Sequence, residues 1–228
     1  MKAMILAAGR GERMRPLTDT EPKPLLEVGG KALIVWQIER LAAAGIHDLV
    51  INHSHLGPVI EAALGDGSRF GARIAYSRET EALDTAGGVA NALPLLGSEP
   101  FLLLSGDLYA DYDYAPLVVH AASMRSKGLL AHLVLVASTP LPPYHFTLEH
   151  DKDGMLIQGG GQRLTFSGIG AFCASLFAKI PIGAKAPLLP LLVAGIEQGN
   201  VSGELYAGRY RNLTTPAQLA ELDKSLRH

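Results

Sequence analysis

Arg13, Arg15 and Lys23 lie just beyond Gly9-Arg10-Gly11, and that glycine pair directly follows the apolar run Ala3-Met4-Ile5-Leu6-Ala7-Ala8. Cations neutralise phosphate, and glycines let main-chain N–H groups approach an anion with no side chain in between. At the end of a buried strand, that combination suits a triphosphate. The competing reading is a tight turn whose arginines face water. The loop is not a P-loop, because Glu12-Arg13 stands where Gly-Lys-Ser/Thr is needed, and Met14 breaks the dinucleotide fingerprint. A second candidate is Asp107, which follows Phe101-Leu102-Leu103-Leu104-Ser105-Gly106. A carboxylate there adds nothing to a core and is placed for a ligand, and Mg²⁺ needs few protein carboxylates once phosphates complete its shell. With Asp111 and Asp113 close by, capping of the following turn is the alternative. Lys23 stands between Pro22 and Pro24, which restrain its backbone and lower the entropy lost on binding; its bland reading is a solvated loop lysine.

These residues need a scaffold, and the pattern supplies one. Short apolar runs at 49–51, 74–76, 101–104 and 132–136 alternate with helical patterns at 32–44, 56–64, 85–93 (closed by Pro94) and 114–124. The alternation predicts an α/β fold with a mostly parallel sheet covered on both faces. Ligands of such sheets sit at the carboxyl ends of the strands, where Gly9, Asn52 and Asp107 would share one crevice. After Thr139 the pattern loosens. Residues 146–149 and 155–157 flank a turn composition at 151–154, Gly159-Gly160-Gly161 is a flexible break, and 164–172 reads as a strand. Helices at 190–198 and 216–226 close the chain. A single domain over 1–228, with the middle third as a lip over the site, is expected.

Composition narrows the class. The 228 residues are 48% hydrophobic and 18% charged, with a net charge of −2, which gives no electrostatic reason to bind nucleic acid. No apolar stretch is long enough for a membrane span. Met1-Lys2-Ala3-Met4 runs straight into the first strand with no room for a signal peptide, and the single cysteine, Cys173, reads as a buried structural thiol. A cytoplasmic protein is expected, with its oligomeric state, monomer or dimer, left open. His53, His55 and His132 lack a metal-ligand spacing.

The whole string Ala7-Ala8-Gly9-x-Gly11-x-Arg13-Met14-x-Pro16-Leu17-Thr18, then Pro22-Lys23-Pro24-Leu25, resembles the signature of the sugar-phosphate nucleotidyltransferases. The resemblance implies the Rossmann-like sheet of nucleotide-diphospho-sugar transferases and two substrates, a nucleoside triphosphate and a sugar 1-phosphate. A phosphate oxygen of the sugar attacks the α-phosphorus in line, and pyrophosphate leaves. It implies that Leu6, Ala8, Gly9, Gly11 and Arg13 bind the nucleotide, Arg13 serving the β- and γ-phosphates, and that Lys23 serves the α-phosphate and the incoming phosphate. Arg15 has the weaker claim. Gly106-Asp107 is similar to the family's metal-binding pair. Thr85-Ala86-Gly87-Gly88 is similar to its base-contacting segment, with Asn52 in reach of base or ribose; a helix start capped by Asp84 or Thr85 is the alternative.

Thr165-Phe166-Ser167-Gly168-Ile169 resembles the stretch beside the sugar, which implies Ser167, Gly168 and Glu149 as sugar contacts. Two departures stand out. Gln158–Gln162 replaces the usual Glu-Lys-Pro string. In Asn212-Leu213-Thr214-Thr215, Asn212 takes the place of the usual second metal-binding aspartate and Thr214 that of a glycine. The expected metal ligands of Mg²⁺ are therefore Asp107 and Asn212. Within the family, Ile51-Asn52-His53, residues 64–71 and Val201-Ser202-Gly203-Glu204 most resemble the short bacterial uridylyltransferases acting on N-acetylmuramic acid 1-phosphate in cell-wall recycling. A mannose 1-phosphate guanylyltransferase or a glucose 1-phosphate thymidylyltransferase is the alternative on the same scaffold. From another class, a non-catalytic nucleotide-sugar-binding regulator would account for Asn212 and Thr214.

Overall fold

In the computed structural model, residues 1–137, 146–148, 154–157 and 163–227 are described. Strand β1 (Lys2–Leu6) opens into a loop with short 3₁₀ turns at Glu12–Met14, Leu17–Asp19 and Lys23–Leu25. A small hairpin, β2 (Glu27–Val28) and β3 (Lys31–Ala32), leads into α1 (Leu33–Ala43). Then come β4 (Asp48–His53), α2 (Gly57–Leu64), β5 (Arg73–Arg78), α3 (Asp84–Leu96) and β6 (Phe101–Ser105). The rest comprises β7 (Leu108–Ala110), α4 (Tyr114–Ser123), β8 (Ala131–Ala137), β9 (Phe146–Leu148), β10 (Leu156–Ile157), β11 (Arg163–Phe172), α5 (Leu189–Glu197), β12 (Val201–Leu205), β13 (Tyr210–Asn212) and α6 (Pro216–Leu226).

The main sheet runs β10-β9-β11-β6-β1-β4-β5, with β8 on β11 and β12 on β8. Strands β6, β1, β4 and β5 are parallel neighbours, whereas β11 runs antiparallel to β6 and β8. Side chains alternate faces along each strand. Ala3 and Ile5 enter one core layer with Ile34, Ile38 and Leu41 of α1, while Met4 enters the opposite layer with Ala86 and Val89 of α3. Strands buried on both faces need unbroken apolar runs, which is why β1, β4 and β6 were legible, whereas the edge strand β5 is largely exposed. A third cluster, around Met14, Leu33, Tyr109, Leu213 and Leu222, clamps the loop after β1 to α1, β7 and α6.

Several boundaries differ from expectation. Helix α3 does not stop at Pro94; it carries the proline in its last turns and ends at Leu96, whose side chain is buried. A proline late in a helix forfeits one main-chain bond, and packing of Leu96 offsets that loss. Leu83, not Asp84 or Thr85, occupies the N-cap of α3 without a side-chain cap. The strands β7, β12 and β13 had no alternating or apolar signature long enough to register. The β9–β10 pair lies where the lip was expected, but 149–153 and 158–162, including Glu149, fall outside the described residues. Cys173 is buried, and its thiol donates to the Leu129 carbonyl at 3.2 Å. Among the described residues no helix is long and apolar enough to cross a membrane.

A polar cluster sits between α4, β8 and β12. The rings of His120 and His132 lie 3.7 Å apart; Ser202 Oγ is 2.8 Å from His132 Nδ1, and the Tyr112 hydroxyl donates to Glu204. Burial, helped by His132 and Lys127, pushes His120 down to about 4, and the nearby His132 ring, 3.7 Å away, lowers the Glu204 carboxyl. A histidine whose folded pKa is lowered contributes full stability above its ordinary 6.5, and loses it as pH falls toward 4. Glu204 acts in the same direction. Melting temperature is therefore expected to fall between pH 6.5 and 4. His120→Asn should flatten that slope in thermal melts; an unchanged slope would remove His120 as its source.

Candidate active site

Gly106 joins the ends of β1 and β6. Its N–H donates to Leu6 O at 2.8 Å, and a Cβ there would come within 2.7 Å of the same oxygen. Asp107 follows immediately, and its Oδ2 accepts from Lys23 Nζ at 2.5 Å. Lys23 is only 7% exposed although it lies in a loop. Pro22 and Pro24 hold its backbone, and its stem packs beside Gly11, where a Cβ would approach Lys23 Cβ to 3.1 Å. The solvated-lysine reading does not survive this burial, and Asp107 does not cap the next helix, since Asp113 caps α4 through Ala115 N–H. Asp111 is taken up by Arg40 and Arg209.

Two cavities meet at the Lys23–Asp107 pair. The first, of 630 Å³, is bordered by Leu6, Ala8, Gly9, Gly11, Arg13, Asn52 and Thr85 together with Lys23 and Asp107. A Cβ on Gly9 would touch nothing within 4 Å, so the glycine is not required by the protein's own packing and leaves the space to a ligand. The second, of 500 Å³, is bordered by Ser167, Gly168, Tyr210 and Asn212, with an apolar wall of Phe166, Leu188, Leu189 and Leu192. Arg13, Lys23, Asp84, Thr85, Ser105 and Asp107 border both. Arg15 pairs with Asp19 instead, at 3.2 Å, and borders neither.

Strand β11 shifts register between Phe166 and Ile169, which turns Ser167-Gly168 toward the site. Gly168 has φ +84, and a Cβ would lie 2.6 Å from Ser105 Oγ. Tyr210 donates to Ser167 O at 2.8 Å; burial pushes its phenol well up, with Asp107 adding to the shift, so it stays neutral. Strand β13 pairs with β7 so that Asn212 stands opposite Leu108, next to Asp107. The two side chains offer a carboxylate and an amide oxygen to one cavity. Such a sparse set of oxygen donors fits a small hard cation that draws the rest of its shell from phosphate and water.

Three expected nucleotide contacts have structural duties. Asn52 is 2% exposed; its Oδ1 accepts from Ala7 N–H at 2.9 Å, and its Nδ2 donates to Glu79 Oε1 at 2.6 Å. Gly87 and Gly88 border neither cavity. Gly87 N–H donates to Ala186 O, and a Cβ would meet Ala184 O at 2.3 Å; a Cβ on Gly88 would meet Asn52 and Glu79 at 2.8 Å. Their smallness serves packing of α3. The sequence carries no signal for Glu79, whose other oxygen accepts from Leu83 N–H at 2.9 Å, and offers Asp84 only as a helix cap, whereas Asp84 is held at φ +62 at the seam of the cavities. A non-glycine residue in that conformation is a local signal of a functional position, but no spacing announces it.

Comparison with known proteins gives the family of the chain. Residues 2–147 match the nucleotidyl transferase family. The chain is 49% identical over 223 residues to the N-acetylmuramate alpha-1-phosphate uridylyltransferase of Neisseria meningitidis, covering 97% of this chain and 96% of that one. It is 33% identical to the enzyme of the same name from Caulobacter vibrioides, covering 96% and 94%. In fold it is similar to a Bacillus anthracis protein described as a glucose-1-phosphate thymidylyltransferase and solved with sucrose, with a TM-score of 0.86 at 18% identity, covering 100% of this chain and 95% of that one. Matched over residues 2–147 by the family and along nearly its whole length by the Neisseria enzyme, this protein is a member of the nucleotidyl transferase family.

Proposed function

We propose that this chain transfers UMP from UTP to N-acetylmuramic acid 1-phosphate and releases pyrophosphate. The observation that carries the reading is the Lys23–Asp107 pair at the seam of two cavities, one on the phosphate-loop side and one on the Ser167-Gly168 side. Two substrates that must meet at one phosphorus need such a seam. The identity of the uridylyltransferases above supports the choice of base and sugar. The apolar wall of the second cavity suits a sugar bearing methyl groups on its acetamido and lactyl substituents.

Arg13 and the 7–11 backbone hold the triphosphate, and Lys23 neutralises the α-phosphate and the attacking phosphate. A sugar phosphate oxygen forms the new bond to the α-phosphorus as the bond to pyrophosphate breaks. Asp107 and Asn212 would hold Mg²⁺, which would supply further charge neutralisation. Ser167 and Gly168 seat the sugar, and the whole of 1–228 acts as one unit in the cytoplasm. Asn212→Asp would add one charge to the cation site. It is expected to lower the Mg²⁺ concentration for half-maximal rate on the order of tenfold, about 1.4 kcal/mol, between the water and surface limits for a close ion pair. No change, or a rise, would remove Asn212 from the ligand set.

The test is pyrophosphate release with Mg²⁺ across UTP, GTP, dTTP, CTP and ATP against several sugar 1-phosphates, including N-acetylmuramic acid 1-phosphate. Release with UTP and the muramic sugar alone is expected. Release with mannose 1-phosphate and GTP, or glucose 1-phosphate and dTTP, would keep the mechanism and replace the substrates. Silence with nucleotide still bound would make the chain a nucleotide-sugar sensor.

A further inference from the structure

Helix α1 does more than cover the sheet. Gln37 is 3% exposed, and its Nε2 donates to Ser105 O at 2.7 Å and to Leu108 O at 3.1 Å. Both partners are carbonyl oxygens, so the amide nitrogen must face them. The two carbonyls bracket Gly106-Asp107, and one NH₂ group ties both ends of that turn together. Gln37 Oε1 is buried with no partner. A residue needed only for packing would avoid an unpaired buried oxygen, because an apolar side chain of similar size carries no such penalty. The amide is explained by its donors.

The same helix grips the following residues. The Trp36 ring stands edge-on to Tyr109 at 5.6 Å, and Arg40 donates to Tyr109 Oη at 3.3 Å and to Asp111 Oδ1 at 2.7 Å. Strand β7 starts at Leu108, so the bond from Gln37 to Leu108 O also anchors the strand against which Asn212 is registered.

We propose that Gln37 is a positioning residue for nucleotidyl transfer. Through its bonds to Ser105 and Leu108 it sets the reach of the Asp107 carboxylate toward Lys23 and toward a divalent cation carried with the nucleotide. This deepens the proposed function and rests on it. Gln37→Met keeps the length of the side chain and removes both donors. Its kcat is expected to fall about 10–100-fold, the range for residues that orient a metal ligand, with the KM for UTP within about threefold of the parent. Mn²⁺ retained by the UTP complex, with sugar phosphate left out and free Mn²⁺ read by electron paramagnetic resonance, should bind about tenfold more weakly. Gln37→Glu regains a donor only when protonated, so its kcat should rise as pH is lowered relative to the parent; that profile carries the test should Gln37→Met fail to fold. In an Asp107→Ala background, Gln37→Met should add no further loss.

Parent-like kcat and Mn²⁺ affinity in the variants, with only the melting temperature lowered, would overturn the proposal, as would full additivity with Asp107→Ala. An inactive parent would instead defeat the proposed function, while the Mn²⁺ measurement would still report on Gln37.

Discussion

Lys23→Met should lower kcat by about 10²–10³-fold, the scale of losing one preorganised charge at a reacting centre, while UTP affinity changes only a few-fold. Lys23 has 9% of its side chain exposed and reaches Asp107 Oδ2 at 2.5 Å, where the two cavities meet. Under the proposed function its charge serves two purposes there. It offsets the Asp107 carboxylate, which would otherwise repel an arriving triphosphate, and it draws the attacking and departing phosphates to one point. In the same proposal ground-state binding is spread over Arg13 and the main chain of 7–11, which the substitution leaves alone. Methionine keeps the stem beside Gly11, so the loss belongs to the charge and not to packing. Single-turnover rates and calorimetric UTP binding separate the two. A kcat within tenfold of the parent would remove Lys23 from the chemistry.

Asn52→Ala is expected to cost about 3 kcal/mol, because it strands a buried N–H and takes a donor from a buried carboxylate. At about 2–4 °C per kcal/mol for a chain of this size, the melting temperature should fall roughly 6–12 °C. Asn52 bridges the ends of three strands: Ala7 after β1, its own β4, and Glu79 after β5. Glu79 is 7% exposed and also holds Leu83 N–H ahead of α3. Losing the bridge loosens the floor of the first cavity, so UTP affinity should weaken along with stability. A melting temperature within about 2 °C of the parent would mean that water or a neighbour replaces the amide.

The sheet was legible in the sequence because strands buried on both faces must be apolar throughout, as Phe101–Leu104 and Leu49–Ile51 are. The candidate site was legible where its residues stand next to breaks in that pattern: Gly9 and Gly11 after β1, Asp107 after β6, Lys23 between prolines. What stayed hidden depends on partners distant in the chain. Gln37 looks like any polar residue on a helix until its amide is seen on the carbonyls of Ser105 and Leu108. Glu79 shows its purpose only through Asn52 and Leu83, and Gly87 and Gly88 show theirs only against the backbone at 184–186 and the Asn52–Glu79 pair. The short β7 and β13 carry no periodicity, since what aligns them is each other.

The antiparallel pair of β7 and β13 joins Leu108 to Asn212, about a hundred residues further along the chain. During translation the phosphate loop, Lys23 and Asp107 leave the ribosome well before Asn212 does. At roughly 5–20 residues per second, the interval lasts on the order of five to twenty seconds. For that time the nascent chain carries Lys23 and Asp107 without Asn212, the proposed second cation ligand. Under the proposed function, completion of the polypeptide is thus what brings the second cation ligand to the Lys23–Asp107 pair.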